Sequence, residues 1–344
     1  MNRKLKLNLK ILKLNDLNKL RSFISKNWKK NHILSKNKKF LIWQYYSSNN
    51  LNTAAATIKN KIIGLQMFIP QNHYDAALSK KEISLTIFRC IKSTIPGLSV
   101  KIFKFIISKI KPRFVGTTGF SHDMISFHEW QGFKIGLLKH HVAISPFKKK
   151  FLIAKIPKNI KKIRLINQTN TYKLIKLNNR NKKFFKNSKI YKNQIPRKSL
   201  NFIYKRYVNH ISYKYLVYGL SYKKEILSIC ILRVIKKRNN SVIKIIDYIG
   251  KDQFLKKYNN LFVYLLKINS AEYIDFYSYG IKEKFILDAG LINRRKFKGL
   301  IIPEYFEPFV KKNINLMYGY INKTNSKVKI FKGDGDRDRP NYLF

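Results

Sequence analysis

The chain has 344 residues and a mass of 40.9 kDa, enough for two domains of ordinary size and too much for a peptide scaffold. With 45% hydrophobic and 14% aromatic residues it is not a disordered chain, even at 26% charged. Lys and Arg number 72 against 17 Asp and Glu, a formal net charge of +55. Only 14 of the 72 are Arg, and the Lys excess accompanies abundant Asn, Ile, Phe and Tyr along the whole sequence. The charge therefore reads as mainly compositional, not as a clustered nucleic-acid stripe, and no specific nucleic acid is expected. Eleven of the 17 acids lie from Asp247 onward, so the last third is less basic.

Residues 5–14 alternate with period two and predict a strand. Asn15 or Asp16 then offers a cap before Leu17, Leu20, Phe23, Ile24 and Trp28 at helical spacing. After a polar connector (29–39) and an aromatic segment (40–46), residues 52–58 and 61–70 predict a hairpin about Lys59-Asn60. Residues 82–91 predict a strand, Pro96-Gly97 breaks the chain, and 98–110 predict a helix ended by Pro112. A strand over 114–120, a short helix over 121–131 and a last strand over 133–144 complete a first unit. The Lys- and Asn-rich stretch 148–200 predicts a connector plus the first elements of a second unit. Strands over 213–220, 225–235 and 241–249, a helix over 253–267, a strand over 273–277 and a helix over 282–289 then repeat the order of the first half. The expectation is an α/β (α+β) chain of two similarly built domains, at 1–147 and 201–330, followed by an Asp/Arg-rich tail at 331–344.

Cys90 and Cys230 are isolated thiols without disulfide or metal spacing. No apolar run approaches the roughly 18 residues of a membrane span, and the Lys/Asn-interrupted start lacks the continuous apolar stretch of a signal peptide. A cytoplasmic protein is expected, with peripheral contact to anionic membrane left open.

Two stretches of the first unit resemble the GNAT N-acyltransferase superfamily. Thr94-Ile95-Pro96-Gly97-Leu98-Ser99 stands between strand and helix where that family has Arg/Gln-x-x-Gly-x-Gly/Ala. Gly97 matches, while Thr94 replaces the Arg/Gln and Ser99 the last Gly/Ala. Unpaired N–H groups at such a helix start can cradle a pyrophosphate. Ser121 to Phe133 resembles the family's helix Asn-x-x-Ala-x-x-apolar-Tyr-x-x-x-Gly-Phe through Phe127, Gly132 and Phe133, with His128 in the slot of the Tyr. The resemblance covers about residues 1–147 and implies GNAT-like domains, each a central mixed, mostly antiparallel sheet flanked by helices. It further implies acetyl-CoA or another acyl-CoA as co-substrate, held at Thr94, Gly97, Leu98 and Ser99, with Glu82 as base and His128 as acid. No metal is expected. His73 and His32 are candidates for the acceptor side.

The second unit keeps the element order without the chemistry: Gly250-Lys251-Asp252-Gln253 has no Gly-x-Gly, and Ile286 stands where an acid would. It looks like a degenerate GNAT-like copy. The tandem resembles acyltransferases of surface-polysaccharide assembly and, distantly, Fem-type aminoacyltransferases, which implies an amino-sugar or nucleotide-sugar acceptor, or tRNA in the alternative. A non-catalytic glycan-binding scaffold is the third reading. Tyr305, in an aromatic run suited to sugar stacking, is a candidate acceptor residue, as are Asp334 and Asp336. The tail that carries Asp334, Asp336 and Asp338 begins like a calcium loop but lacks the Gly and Glu of an EF-hand. A solvated acidic tail, an acceptor-site loop and a metal site all stay open for it.

Overall fold

The computed structural model describes residues 6–92, 95–168, 171–185, 194–305 and 308–341. The first half forms strands β1 (Asn8–Ile11), β2 (Thr53–Ile58), β3 (Lys61–Pro70), β4 (Glu82–Cys90), β5 (Phe114–Thr118), β6 (Lys134–Leu137) and β7 (Lys139–Ile144). Its helices are α1 (Leu17–Asn27), α2 (Ile33–Lys36), α3 (Lys38–Tyr45), α4 (Leu98–Ile110) and α5 (Ile125–Trp130). The second half forms β8 (Lys173–Lys176), β9 (Leu216–Tyr222), β10 (Glu225–Lys237), β11 (Asn240–Gly250), β12 (Ala271–Tyr279) and β13 (Ile292–Asn293). Strands β14 (Glu304–Tyr305), β15 (Phe309–Val310), β16 (Met317–Asn322) and β17 (Ile330–Phe331) follow, and the helices are α6 (Leu200–Ile203), α7 (Asn259–Ile268) and α8 (Glu283–Asp288).

Local chemistry accounts for these boundaries. Lys59 and Asn60 both take positive φ (44° and 65°), the two-residue turn whose twist suits the β2–β3 hairpin, and Lys223 and Lys224 do the same for β9–β10. In α4 the buried Leu98, Ile102, Phe103 and Ile106 share one face, and the helix stops where Lys111 turns left-handed before Pro112. Ile102 and Ile106 are 0% exposed, each contributing on the order of 1.5–3 kcal/mol by leaving water.

The two sheets share one plan. In the first, β2-β3-β4 are antiparallel neighbours and α4 crosses over to β5, parallel to β4. In the second, β9-β10-β11 are antiparallel and α7 crosses over to β12, parallel to β11. Each sheet then receives a strand from the other half of the chain: β16 lies between β5 and β6, and β7 lies between β12 and β13. The single strand expected over 133–144 is thus two strands in different sheets. They part at the buried Leu138, whose N–H bonds Leu316 O at 2.8 Å. The apolar alternation slips by one at Leu137-Leu138, from Phe133, Ile135 and Leu137 to Leu138, Val142 and Ile144, and the long-range partner of Leu138 sits at that slip.

Among the described residues nine acids are buried, including Glu82, Asp247, Glu272, Asp275, Glu304, Asp334 and Asp338. The C-terminal segment accordingly is not a solvated acidic tail. β17 pairs with β12, Gly333 N–H bonds Ile246 O at 2.7 Å, Arg233 bonds Asp338 at 2.7 Å, and Asn341 O accepts from Ile33 N–H at 3.0 Å. This segment runs between the two sheets because the buried Arg206, Arg233 and Lys198 need its carbonyls and carboxylates as partners, while its own buried Lys332 pairs with Glu304.

Candidate active site

β4 and β5 pair only from Glu82–Phe114 to Leu85–Thr117. Beyond that point they separate, and β4 carries a bulge in which Thr86 and Ile87 oppose the single Met67 of β3. The Gln66 amide holds the bulge by donating to Met67 O at 2.9 Å and Ile87 O at 3.3 Å. A cleft of about 560 Å³ opens in the gap, walled by Phe88, Arg89, Ser99, Thr118, Ser121 and Met124 among others.

At one end stands the start of α4. Gly97 sits at φ 63°, ψ 26°, and a Cβ there would meet nothing within 4 Å, so backbone conformation and not space calls for glycine. The N–H groups of the first turn, including Leu98 and Ser99, have no intrahelical acceptor and carry the positive end of the helix dipole. Thr94 lies outside the described residues.

At the other end the C-terminal segment enters. Tyr45 Oη donates to Asp336 Oδ2 at 2.8 Å and lies 3.1 Å from Thr86 Oγ1. Arg339 Nη1 bonds the same Oδ2 at 2.8 Å. Arg339 also lies 3.3 Å from His32 Nε2 and 5.5 Å from the centre of the Trp28 ring. The half-buried Arg337 guanidinium packs on Gly119, where a Cβ would fall 2.7 Å from Nε. Gly119 also has φ 71°, so both conformation and close approach require glycine there.

His128 lines the cleft inside a cage of Phe120 (4.6 Å between ring centres), Phe133 (4.8 Å) and Phe127 (5.5 Å). Burial holds its pKa down at about 4, and its Nδ1 has no partner among the described residues. The imidazole is therefore neutral at pH 7. Burial pushes the Cys90 thiol, also on the cleft wall, up to about 11 despite the neighbouring Arg89, so it is no ready nucleophile.

The remaining candidates lie elsewhere. Glu82 is fully buried at the opposite end of β4, bonded by the Arg113 guanidinium and by Arg197 N–H at 2.8 Å. His73 donates from Nε2 to Trp43 O at 2.9 Å beneath α3, and burial takes its pKa to about 4. Tyr305 packs on Phe309 with Arg233 5.4 Å from its ring centre. Asp334 bonds Lys198 at 2.8 Å and the Phe331 N–H at 2.8 Å.

Asp334 helps close the corresponding gap in the second sheet. β11 and β12 pair from Ser241–Ala271 to Ile245–Phe276; past that point Asp247, Lys198 and Asp334 fill the space. Lys198 Nζ bonds Asp247 at 2.7 Å, and Tyr207 Oη donates to Asp247 Oδ2 at 2.7 Å. Burial opposes the Lys198 charge, but the two carboxylates raise its pKa above the usual value. One copy is open and the other is plugged.

Sequence reading placed Ser99, His128 and Asp336 among the site candidates and the cleft unites them. It missed Tyr45, Thr86, Arg337 and Arg339. The Trp28 and Tyr45 rings looked like ordinary core, and only the density of Asp and Arg at 334–339 signalled unusual chemistry there.

No family model and no curated protein matches the sequence. Solved structures do resemble the fold. The GCN5-related N-acetyltransferase from Anabaena variabilis aligns with a TM-score of 0.52 at 9% identity, over 91% of this chain and 72% of that one. A conserved protein of unknown function from Enterococcus faecalis aligns with the same score and coverage at 7% identity. N-myristoyltransferase from Saccharomyces cerevisiae aligns at 0.47 and 9% identity, over 92% and 81%. The parallel β4–α4–β5 and β11–α7–β12 crossovers, each splayed beyond a short paired stretch, together with the likeness to the Anabaena enzyme, identify the fold of this chain as the GNAT fold, present twice in tandem.

Proposed function

We propose that the protein is an acyl-CoA-dependent N-acyltransferase whose working site is the β4/β5 cleft. One observation carries the reading: of the two equivalent gaps, only this one is open, and it places a carboxylate, Asp336, opposite a helix start suited to phosphate. The residues fit an acyl-CoA in three respects. The first turn of α4 and Arg89 suit the pyrophosphate, the apolar wall of Phe88 and Met124 suits the pantetheine arm, and the free edge of β4 past Leu85 offers N–H groups to a carbonyl.

The thioester supplies an acyl carbon open to attack by an amine. Asp336 replaces Glu82 as the base. Its Oδ2 is fixed by Tyr45 and Arg339, and its Oδ1 takes the amine proton. A covalent acyl-cysteine is not used, because Cys90 stays a thiol. His128, neutral at working pH, serves as a hydrogen-bond donor to the departing sulfur, which takes its proton from water at the cleft mouth. For the acceptor, Trp28, 40% exposed on the cleft wall beside Arg339, supports an amino sugar, whose ring stacks on an indole face.

The test is release of free thiol from acetyl-CoA with a panel of amino sugars and nucleotide-linked amino sugars, for the wild type and Asp336→Asn. Turnover that falls at least about 100-fold in the variant supports the reading. Equal turnover by the two proteins removes Asp336 from the chemistry.

A further inference from the structure

The second sheet ends in a surface that the acyl-transfer reading does not use. The register places three chain segments at this end: the exit of β7, where Ile144 pairs with Tyr273; the β10–β11 turn, where Lys237 pairs with Asn240; and the connection from α7 to β12, where Ser241 pairs with Ala271. Exposed Lys149, Lys150, Lys236, Arg238 and Lys267 gather there. Over residues 144–168, 234–246 and 259–271 the sequence contains no Asp or Glu. Glu272, which follows the last of these stretches, is 0% exposed.

Large apolar side chains stand among these cations. Phe147 is 47% exposed, Leu152 71% and Ile268 55%. The loop that carries the first two is fixed from below. Glu272 accepts the N–H groups of Leu152 at 2.8 Å, Ile153 at 2.9 and 3.0 Å, and Ala154 at 3.0 Å. Ile153, Ala154 and Ile160 pack on Val142, Ile144 and Tyr273, and Ile163 N–H returns to Ile144 O at 3.0 Å. Leu152 thus projects outward from a backbone pinned by a buried carboxylate. Holding apolar groups in water is unfavourable, and a protruding apolar tip between lysines suits an anionic surface that admits hydrocarbon.

We propose that this end of the second sheet docks on a bilayer bearing anionic headgroups: the Phe147/Leu152 loop enters the acyl-chain boundary and Lys148, Lys149 and Lys150 lie at headgroup level. Charge complementarity selects lipid as the occupant. A cationic face repels a second copy of so basic a chain, whereas each lysine near an anionic leaflet adds to its attraction.

Co-sedimentation of the full chain with vesicles tests this, using pure phosphatidylcholine and a phosphatidylcholine–phosphatidylglycerol mixture at about 0.15 M salt, where exposed charges beyond roughly 8 Å are screened. The wild type should sediment with the mixed vesicles and not with phosphatidylcholine alone. Phe147→Ser/Leu152→Ser and, separately, Lys148→Glu/Lys149→Glu/Lys150→Glu should each weaken partitioning by about tenfold or more. Lys223→Glu/Lys224→Glu, at another exposed turn, should keep most of it. All three variants change surface residues, and unchanged melting confirms that each folds. Wild-type failure to bind mixed vesicles overturns the proposal. So does equal binding by the Phe147/Leu152 variant, which would leave bulk charge alone at work, or a dimer that this variant abolishes in the absence of lipid.

Discussion

Tyr45 Oη donates to Asp336 Oδ2 at 2.8 Å, joining residues 291 positions apart in the sequence. This bond closes the floor of the β4/β5 cleft with the C-terminal segment, so one contact serves both the packing of the two halves and the orientation of the proposed base. Burial, with the Asp336 charge beside it, raises the Tyr45 pKa well above its usual value, which keeps the hydroxyl a donor throughout the working range.

Tyr45→Phe keeps the ring and removes the donor. It should cost about 1 kcal/mol in denaturant unfolding and lower kcat less than Asp336→Asn does, with little change in acyl-CoA KM. A Tyr45→Phe loss as large as that of Asp336→Asn would assign the proton transfer to the phenol instead.

The strand exchange makes the halves interdependent. Residues 1–147 expressed alone lack β16, the strand between β5 and β6, and should show no cooperative melting. Mixed with residues 148–344, they should regain one transition. Independent cooperative unfolding of the first fragment would mean that β16 is dispensable to its sheet.

Lys198→Met leaves Asp247 and Asp334 buried without their shared cation, and removing one partner of a buried pair costs about 3–5 kcal/mol. The midpoint of urea unfolding should fall accordingly. Lys223→Met, at an exposed turn, serves as the control with a change within about 0.5 kcal/mol.

Acid should unfold the protein early. Burial lowers His73 and His128 to about 4, and outweighs the Glu283 bond to hold His141 at about 4 as well, against 6.5 for a free histidine. Between those values the unfolded chain binds protons that the folded chain refuses. Stability is therefore full above pH 6.5 and declines as the pH falls towards 4, each unit of depression being worth about 1.4 kcal/mol per group. Melting temperatures from pH 7.5 to 4.5 should drop steeply below about 6.5; a flat profile would mean that these rings titrate normally in the folded state.

Local signals in the sequence marked the elements well. The stretches 61–70 and 98–110 coincide with β3 and α4, because a turn of two positive-φ residues and a Gly-start, Pro-stop helix are written in adjacent positions. The insertion of β16 had no such signal, since it depends on strands about 180 residues apart, whereas the division at Leu138 is marked locally by the slip in alternation at Leu137-Leu138. Asp336 drew notice through the Asp- and Arg-rich run that also carries Arg339, but its partner Tyr45 did not, because a tyrosine in an aromatic helix looks like core. Glu82 looked well placed only while the direction of β4 relative to the cleft was unknown; the structure puts it at the far end, enclosed by Arg113 and Arg197.

The central claim, that the open first-sheet cleft holds an acyl-CoA, is tested most directly by thermal unfolding with acetyl-CoA at low and high salt. The comparison is between the wild type and Ser99→Trp, which places an indole at the helix start lining the cleft. Ligand at about 100 times its dissociation constant should add about 2.7 kcal/mol. The account predicts an upward shift for the wild type that survives high salt, is not reproduced by ATP and is lost in Ser99→Trp. No wild-type shift with any acyl-CoA, or an equal shift in the variant, would contradict it.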